Sequence, residues 1–229
     1  ILSAYSPHER EMRRYGRPSI GSGLIFPINE EELMCDPITI EEHWPRIAAI
    51  DFGWDHPTAV VWCAIDREEE TFYIYDCHRA SKASPTVHSE VIRQRPYFIP
   101  IAYPHDGNRR DSMGNPGLAE QYRNLGCNFL LQHFTNPPGL GEKKGSNSIE
   151  EGVMAMLQSM ENKNFKVFST LHDWFEEFRM YHRKEGKVVP LRDDLMSATR
   201  YAFQSQRYAI AGSDPKWTSD LTYRNLGIV

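Results

Sequence analysis

The chain has 229 residues, of which 40% are hydrophobic and 12% aromatic, and its formal net charge is −5. This is the composition of a globular protein with a substantial core, and it excludes a disordered or fibrous chain. No run of about eighteen apolar residues occurs, so the sequence predicts no membrane-spanning helix.

Charge is unevenly distributed along the chain. Residues 28 to 42 contain six acids and neither Lys nor Arg, whereas residues 179 to 192 contain five bases and one acid. The acidic total argues against an extended nucleic-acid-binding surface, but a locally basic edge can coexist with it. The four cysteines show no Cys-x-x-Cys spacing, which favours buried free thiols in a reducing compartment.

The hydrophobic pattern predicts a mixed sheet of five or more strands with helices on both faces. Residues 1–45 begin without Met or a signal peptide and are interpreted as an arm that packs loosely on the main domain. The predicted strands are 46–52, 58–65, 71–76, 98–104 and 127–134, with a short edge strand at 166–168. The predicted helices are 84–95, 117–125, 148–160, 171–184 and 191–206, followed by a tail, 207–229.

Carboxylates follow two of the apolar strands and open the last helix. Asp51 ends the apolar run 47–50, Asp106 lies just past the fourth strand, and Asp193 and Asp194 begin the last helix. A carboxylate at the end of a buried strand is costly without a compensating cation, and a metal ion is a natural one. Because oxygen ligands select hard cations, the sequence predicts a site for Mg²⁺ or Mn²⁺.

The helical period separates the two acids of the last helix. At about 100° per residue, Asp194 falls on the apolar face and Asp193 on the solvent face. The apolar stripe comprises Leu191, Leu195, Ala198 and Ala202, and the solvent face carries Ser197, Arg200 and Gln204. A first-turn acid is also favoured by the helix dipole, which would explain either residue without a metal. Together with Asp51 and Asp106, Asp194 completes the predicted oxygen-rich pocket, in which three carboxylates can hold two ions about 4 Å apart.

Three stretches together resemble the C-terminal nuclease domain of the large terminase subunits, the DNA-packaging motors of tailed phages. They are Ile50-Asp51-Phe52-Gly53 with its meander, the acid after the fourth strand, and the run DDLMSATRYA at 193–202. The segment GSGLIFPI at 21–28 resembles the stretch that joins the ATPase and nuclease parts of the family. The resemblance covers roughly residues 16–206. It implies an RNase H-like fold, two divalent metal ions, and endonucleolytic cutting of concatemeric viral double-stranded DNA.

The resemblance also implies the roles of particular residues and segments. Asp51, Asp106 and Asp194 take the positions of the catalytic acids, while Ser197 stands where the family often has a further acid. Residues 1–45 would link to an N-terminal ATPase domain absent from this chain, and 46–206 would form the nuclease domain. The implied partners are viral DNA, that ATPase domain, the small terminase subunit and the portal or procapsid, in the host cytoplasm and away from membranes.

Basic side chains near the acids are the predicted phosphate contacts. They are Arg109, Arg110, Lys143, Lys144, Arg183, Lys184, Lys187 and Arg192. Asp193 and Asp55 are candidates for additional metal ligands, although Asp-x-Pro turn chemistry by itself explains Asp55. The aromatic stripe of the helix at 171–184 is predicted to be core, because the bases of duplex DNA are already stacked.

Two other classes of function remain open from the sequence. The spacing of Asp51, Gly53 and Thr58 mimics the phosphate-binding turn of actin-like and sugar-kinase ATPase lobes, which also require a second lobe. Alternatively, the acids are structural, and the chain is a catalytically silent module that docks on DNA or the portal.

Overall fold

The computed structural model describes residues 23–109, 114, 116–139, 141 and 144–212. Its strands are β1 (Met34–Cys35), β2 (Pro45–Asp51), β3 (Thr58–Asp66), β4 (Thr71–Ala80), β5 (Ile101–Ala102), β6 (Phe165–Phe168), β7 (Arg183–Lys184), β8 (Lys187–Val188) and β9 (Ile210–Ala211). Its helices are α1 (Glu30–Leu33), α2 (Pro85–Ile92), α3 (Leu118–Asn124), α4 (Ile149–Glu161), α5 (His172–Met180) and α6 (Asp194–Gln204), with 3₁₀ turns at His105–Asn108 and Gln206–Tyr208. None of these helices has the length and hydrophobicity needed to cross a membrane.

Seven of the described strands form one mixed sheet in the order β1-β6-β4-β3-β2-β5, and β9 pairs with β2 as well. The predicted meander is present, because β3 runs antiparallel to both β2 and β4. The strands β5 and β6 pair in parallel with β2 and β4, respectively. The predicted mixed sheet is therefore confirmed. The strand expected at the edge, β6, instead lies inside the sheet between β1 and β4.

Helices cover both faces of this sheet, as the sequence predicts. Successive side chains of a strand point to opposite faces, so Ala49 and Ile50 of β2 belong to different cores. Ala49 packs in the cluster formed with α4, α5 and α6, whereas Ile50 packs in the cluster formed with α2 and α3. The free thiols predicted for all four cysteines are also confirmed, and Cys63 and Cys127 are buried.

Part of the predicted arm belongs to the core. Ile25, Phe26 and Leu33 are buried, and the ring of Phe26 stacks on that of Phe178 with centroids 5.9 Å apart. Strand β1 extends the sheet by pairing with β6. Loose packing is therefore wrong for residues 24–35, because their apolar side chains fill space between the sheet and α5.

The two strands predicted around residues 98–104 and 127–134 are much shorter in the structure. Pro100 and Pro104 flank β5, and a proline has no N–H to donate to a ladder. After Cys127 the backbone turns, because the N–H of Phe129 donates to the carbonyl of Cys127 at 3.0 Å. Only one parallel bridge, between Ile101 and Phe129, remains of the expected fifth strand.

The ends of the last two long helices also differ from the prediction. α5 ends at Met180, and the chain continues into the hairpin β7–β8. α6 begins at Asp194 because Arg192 has a φ of 52°, a left-handed conformation that a right-handed helix cannot include. Leu191 consequently lies outside the helix and is 53% exposed. Beyond α6, β9 pairs with β2 in a stretch for which the sequence predicts no element, and residues 213–229 lie outside the described part.

Candidate metal centre

The predicted acids lie at one end of the sheet. Asp51 is the last residue of β2, Asp106 lies in the 3₁₀ turn after β5, and Asp194 is the first residue of α6. Because β2 and β5 are parallel neighbours, the segments that leave their carboxyl ends start at the same edge. α6 packs across β2 and β3, which brings its first residue towards that edge. The fold thus gathers three distant parts of the chain around Asp51.

The carboxylates interact electrostatically. The pKa of Asp51 is raised to about 8, chiefly by burial and then by the charges of Asp194, Asp193 and Asp106, in that order of strength. Burial, reinforced by Asp194, also raises the pKa of Asp193 to about 6. The pKa of Asp194 is raised by burial as well. Asp51 therefore lies within electrostatic range of all three other acids.

These side chains do not form a finished coordination shell. Within the ranges that the structure describes, no three His, Cys, Asp or Glu side chains are grouped closely enough to hold a metal ion. The donor chemistry nevertheless fits a hard divalent cation, since every acid at the site offers only oxygen. Like charges that raise one another's pKa are also relieved when a cation binds between them. The site has suitable donors and charge, and coordination by them is a proposal.

The predicted orientation is right for Asp194 and wrong for Asp193. Asp194 is only 9% exposed and faces the sheet, as its position on the apolar stripe predicts. Asp193 is half-buried and acts on the pKa of Asp51, although the helical period places it towards solvent. The period does not apply to Asp193, because the residue precedes the helix and has a non-helical φ of −125°.

Arg200 is predicted on the solvent face, but in the structure it is only 4% exposed. α4 covers that side closely, because a Cβ added at Gly152 would lie 2.6 Å from Cγ of Arg200. The guanidinium lies over the rings of Phe134 and Tyr201, at 5.3 and 4.7 Å from their centroids. Its Nε and one terminal nitrogen are buried without a hydrogen-bond partner among the described residues. Its positive charge lowers the pKa of Asp51 and so offsets part of the repulsion within the site.

Tyr201 contacts the central acid directly. Its hydroxyl donates to Oδ1 of Asp51 at 3.4 Å. Burial raises the pKa of Tyr201, and the charges of Asp51 and Asp106 add to that rise. The hydroxyl therefore stays protonated and can orient the Asp51 carboxylate. Sequence reasoning included this residue in the last helix without assigning it to the site.

Glu177 and Arg79 are the polar residues that sequence reasoning missed. Glu177 is fully buried on α5, where Oε1 accepts from Arg79 at 2.9 Å and Oε2 accepts from the backbone N–H of Leu195 at 2.6 Å. Burial raises the pKa of Glu177 to about 7, with Asp194 adding to the rise and both hydrogen bonds opposing it. A signal was present in the sequence, because Glu177 lies only about 60° from Trp174 at ~100° per residue, beside the apolar stripe. The aromatic residues of that stripe are buried, as predicted.

The basic residues predicted to contact phosphate differ in their exposure and in whether a carboxylate already pairs with them. Arg109, Lys144, Lys184 and Lys187 are exposed. Arg183 is held by both oxygens of Glu150 at 2.5 and 2.6 Å, and Arg192 pairs with Glu176 at 3.1 Å. Arg110 and Lys143 lie outside the described residues.

The loop between β2 and β3 borders the site. Asp55 is exposed, as expected for a surface turn, and it is not among the acids that shift the pKa of Asp51. The hydroxyl of Thr58 donates to the carbonyl of Gly53 at 2.8 Å, and the N–H of Gly53 donates back to that hydroxyl at 3.1 Å. The two groups that a phosphate-binding turn would offer are thus bonded to each other.

The fold and the acids at its edge define the class of protein as an RNase H-like α/β domain. Residues 48–206 match the family model of the terminase RNase H-like domain, and the chain belongs to that family. It is 38% identical over 210 residues to the terminase large subunit of Salmonella phage P22, covering 91% of this chain and 41% of that protein. It is also 38% identical to the large subunit of Enterobacteria phage LP7, covering 89% of this chain and 42% of that protein. The chain thus spans about two fifths of the length of these relatives.

Solved structures agree with this assignment. The nuclease domain of the P22 large terminase has a TM-score of 0.75 and 36% identity, covering 83% of this chain and 96% of that one. A large terminase from a thermophilic bacteriophage has a TM-score of 0.61 at 13% identity, covering 88% of this chain and 53% of that one. The large terminase nuclease of the thermophilic phage G20c with bound magnesium has a TM-score of 0.55 at 14% identity, covering 80% of this chain and 98% of that one. The last two show a shared fold.

Proposed function

We propose that this domain is a metal-dependent endonuclease that cuts concatemeric viral double-stranded DNA during genome packaging. One observation carries the proposal: Asp106, Asp193 and Asp194 all lie within electrostatic range of Asp51 at one edge of a terminase nuclease fold. A catalytically silent module would have no reason to bury Asp194 beside the half-buried Asp51 and Asp193, because burying repelling carboxylates costs stability. The pairing of Gly53 with Thr58 removes the observation that favoured an ATPase lobe.

Asp51, Asp106 and Asp194 are the residues that would hold the metal, with Asp193 beside them. Two divalent ions, when bound, supply activation of the attacking water and stabilisation of the leaving 3′ oxygen. Magnesium is the first ion to test, since the G20c nuclease of the same fold is described with it; manganese is its usual replacement. Asp55, which is exposed in the loop after β2, is the weakest candidate ligand.

Tyr201 and Arg200 would orient and ionise the carboxylates of this site. The hydroxyl of Tyr201 fixes one oxygen of Asp51, which leaves the second oxygen for the metal. Arg200 contributes a fixed positive charge that favours ionised carboxylates. Both side chains are held by the packing of α6, so the orientation of Asp51 and Asp194 is set by a strand and a helix.

The DNA backbone would be held by cations around the site. Arg109, Lys144, Lys184 and Lys187 are exposed and available for phosphate. Arg183 and Arg192 would first exchange their carboxylate partners for phosphate oxygens, and the same role is proposed for Arg110 and Lys143. Backbone contacts carry no base information, so the isolated domain should cut with little sequence preference.

The larger assembly is proposed from the family alone. Residues 1–45 would connect this domain to an ATPase domain of the same polypeptide, and the small subunit and portal or procapsid would direct cutting in the host cytoplasm. The region 46–206 would carry the proposed catalytic acids, and residues 24–35 would complete its core.

Plasmid cleavage tests the proposal. Supercoiled plasmid should be nicked and linearised with Mg²⁺ or Mn²⁺ and left intact with EDTA. Asp51→Asn, Asp106→Asn and Asp194→Asn should each abolish cutting, while Asp193→Asn should largely retain it. Asp36→Asn is the matched control, because Asp36 is exposed and follows β1 at the far edge of the sheet. Cutting that persists in all three triad variants would refute the assignment.

A further inference from the structure

The first turn of α6 is capped in an unusual way. The first amides of a helix have no partner within the helix, and an Asp directly before the helix normally accepts from one of them through its side chain. Asp193 occupies that position, but its side chain makes no capping hydrogen bond. The Asp193 carboxylate instead lies close enough to Asp51 to raise its pKa.

Glu177 supplies the missing acceptor from another helix. Its Oε2 accepts from the N–H of Leu195, the second residue of α6, at 2.6 Å. The other oxygen is occupied by Arg79 at 2.9 Å, so the fully buried carboxylate has one donor on each oxygen. A short hydrogen bond from a backbone amide to an ionised acceptor is among the stronger ones in proteins.

The position of Arg79 connects this cap to the acids. Ala59 of β3 is opposite Asp51 of β2 on one side and opposite Arg79 of β4 on the other. Directly opposite residues of neighbouring strands point to the same face of a sheet, so Asp51 and Arg79 belong to one row beneath α6. Glu177 bridges that row to Leu195, the residue next to Asp194.

We propose that Glu177 is a positioning residue for the metal site: held by Arg79, it caps α6 in place of Asp193 and fixes Asp194 towards Asp51. The cap leaves the carboxylates of Asp193 and Asp194 available to the site. The inference rests on the proposed metal-dependent function, but it assigns to Glu177 no contact with metal or DNA.

The substitution Glu177→Gln separates this role from bulk packing. Glutamine has the same size, but an NH2 group that can only donate replaces one of the two carboxylate oxygens, so either Leu195 or Arg79 faces a donor instead of an acceptor. Asp173→Asn is the control, because Asp173 is an exposed partner of the same arginine at 3.1 Å, whereas the acceptor from Leu195 is Glu177. The double variant Arg79→Met/Glu177→Met removes both charges of the pair, an exchange that often preserves stability while still removing the cap.

Two readouts test the proposal on the full chain. Hydrogen exchange of the Leu195 amide should accelerate in Glu177→Gln and in the double variant, and remain at the wild-type rate in Asp173→Asn. Titration with Mn²⁺ alone should show roughly tenfold weaker binding in both Glu177 variants, the usual effect of losing a group that orients a ligand. Cleavage should recover towards the wild-type rate at saturating Mn²⁺.

The outcomes separate this inference from the proposed function. Wild-type cleavage with unchanged Mn²⁺ affinity and unchanged Leu195 exchange in the Glu177 variants would overturn the positioning role alone. Lower thermal stability with unchanged Mn²⁺ affinity would also overturn it, because Glu177 would then be merely structural. Absence of Mn²⁺ binding and cleavage in the wild type would overturn the proposed function, and the positioning role with it.

Discussion

Asp51 should destabilise the metal-free protein at neutral and alkaline pH. Its pKa rises from an ordinary 3.8 to about 8 in the folded protein, so folding favours the protonated form. The unfolded chain ionises near pH 4, and from there the cost of keeping Asp51 folded grows as the pH rises. The cost stops growing above about pH 8, where the folded protein has lost the proton as well.

The magnitude follows from that shift. Four pKa units at about 1.4 kcal/mol each set a ceiling of about 6 kcal/mol. Water entry and movement of the neighbouring carboxylates relieve part of this, so we expect Asp51→Asn to stabilise the metal-free protein by about 2 kcal/mol at pH 8.5. For a domain of this size, that corresponds to an increase in Tm of about 4 to 8 °C.

Urea unfolding in EDTA at pH 4, 6 and 8.5 measures the effect. The difference between Asp51→Asn and wild type should be close to zero at pH 4 and largest at pH 8.5. Asp36→Asn, which removes an exposed acid, should show no such trend. A difference that does not depend on pH, or a less stable variant at pH 8.5, would refute the electrostatic reasoning.

Three further predictions concern the metal, the turn after β2 and the DNA. Mn²⁺ at a hundred times its Kd should stabilise the wild type against unfolding by about 2.7 kcal/mol and Asp194→Asn far less. Equal stabilisation of the two proteins in a thermal scan would contradict metal binding by Asp194. Gly53→Ala should lower the free energy of unfolding by about 2 kcal/mol or more, because its Cβ would lie 2.3 Å from the carbonyl oxygen of His56; a denaturant midpoint equal to that of the wild type would count against this. Lys184→Gln should reduce the magnitude of the slope of log affinity for duplex DNA against log salt concentration by about 1. Lys163→Gln, at the opposite end of the sheet, should leave that slope unchanged. A slope for Lys184→Gln equal to that of the wild type would exclude Lys184 as a phosphate contact.

The elements that the sequence predicts well are those with strong periodicity. Strands β2 and β3 are continuous apolar runs bounded by charged or glycine-containing turns, and β4 is β-branched and aromatic. α4 follows Ser148, whose side chain caps the N–H of Glu151. The burial of Asp194 was predictable because it depends only on the position of the residue around the axis of its own helix. Each of these features is local in the sequence.

The features that the sequence missed depend on contacts between distant segments. Arg200 is buried because α4 approaches α6 at Gly152, and no pattern within α6 reveals that approach. Asp193 makes no cap of its own, and Glu177 on a different helix accepts from Leu195 instead. The burial of Ile25, Phe26 and Leu33 depends on contacts with β6 and α5, more than a hundred positions later in the chain.

The most direct test of the metal site is a crystal soaked in Mn²⁺ and examined for anomalous signal. The account predicts a peak about 2.1 Å from a carboxylate oxygen of Asp51, shared with Asp194 or Asp106. A fully soaked crystal with no anomalous peak near Asp51, or with peaks only at distant surface carboxylates, would contradict it.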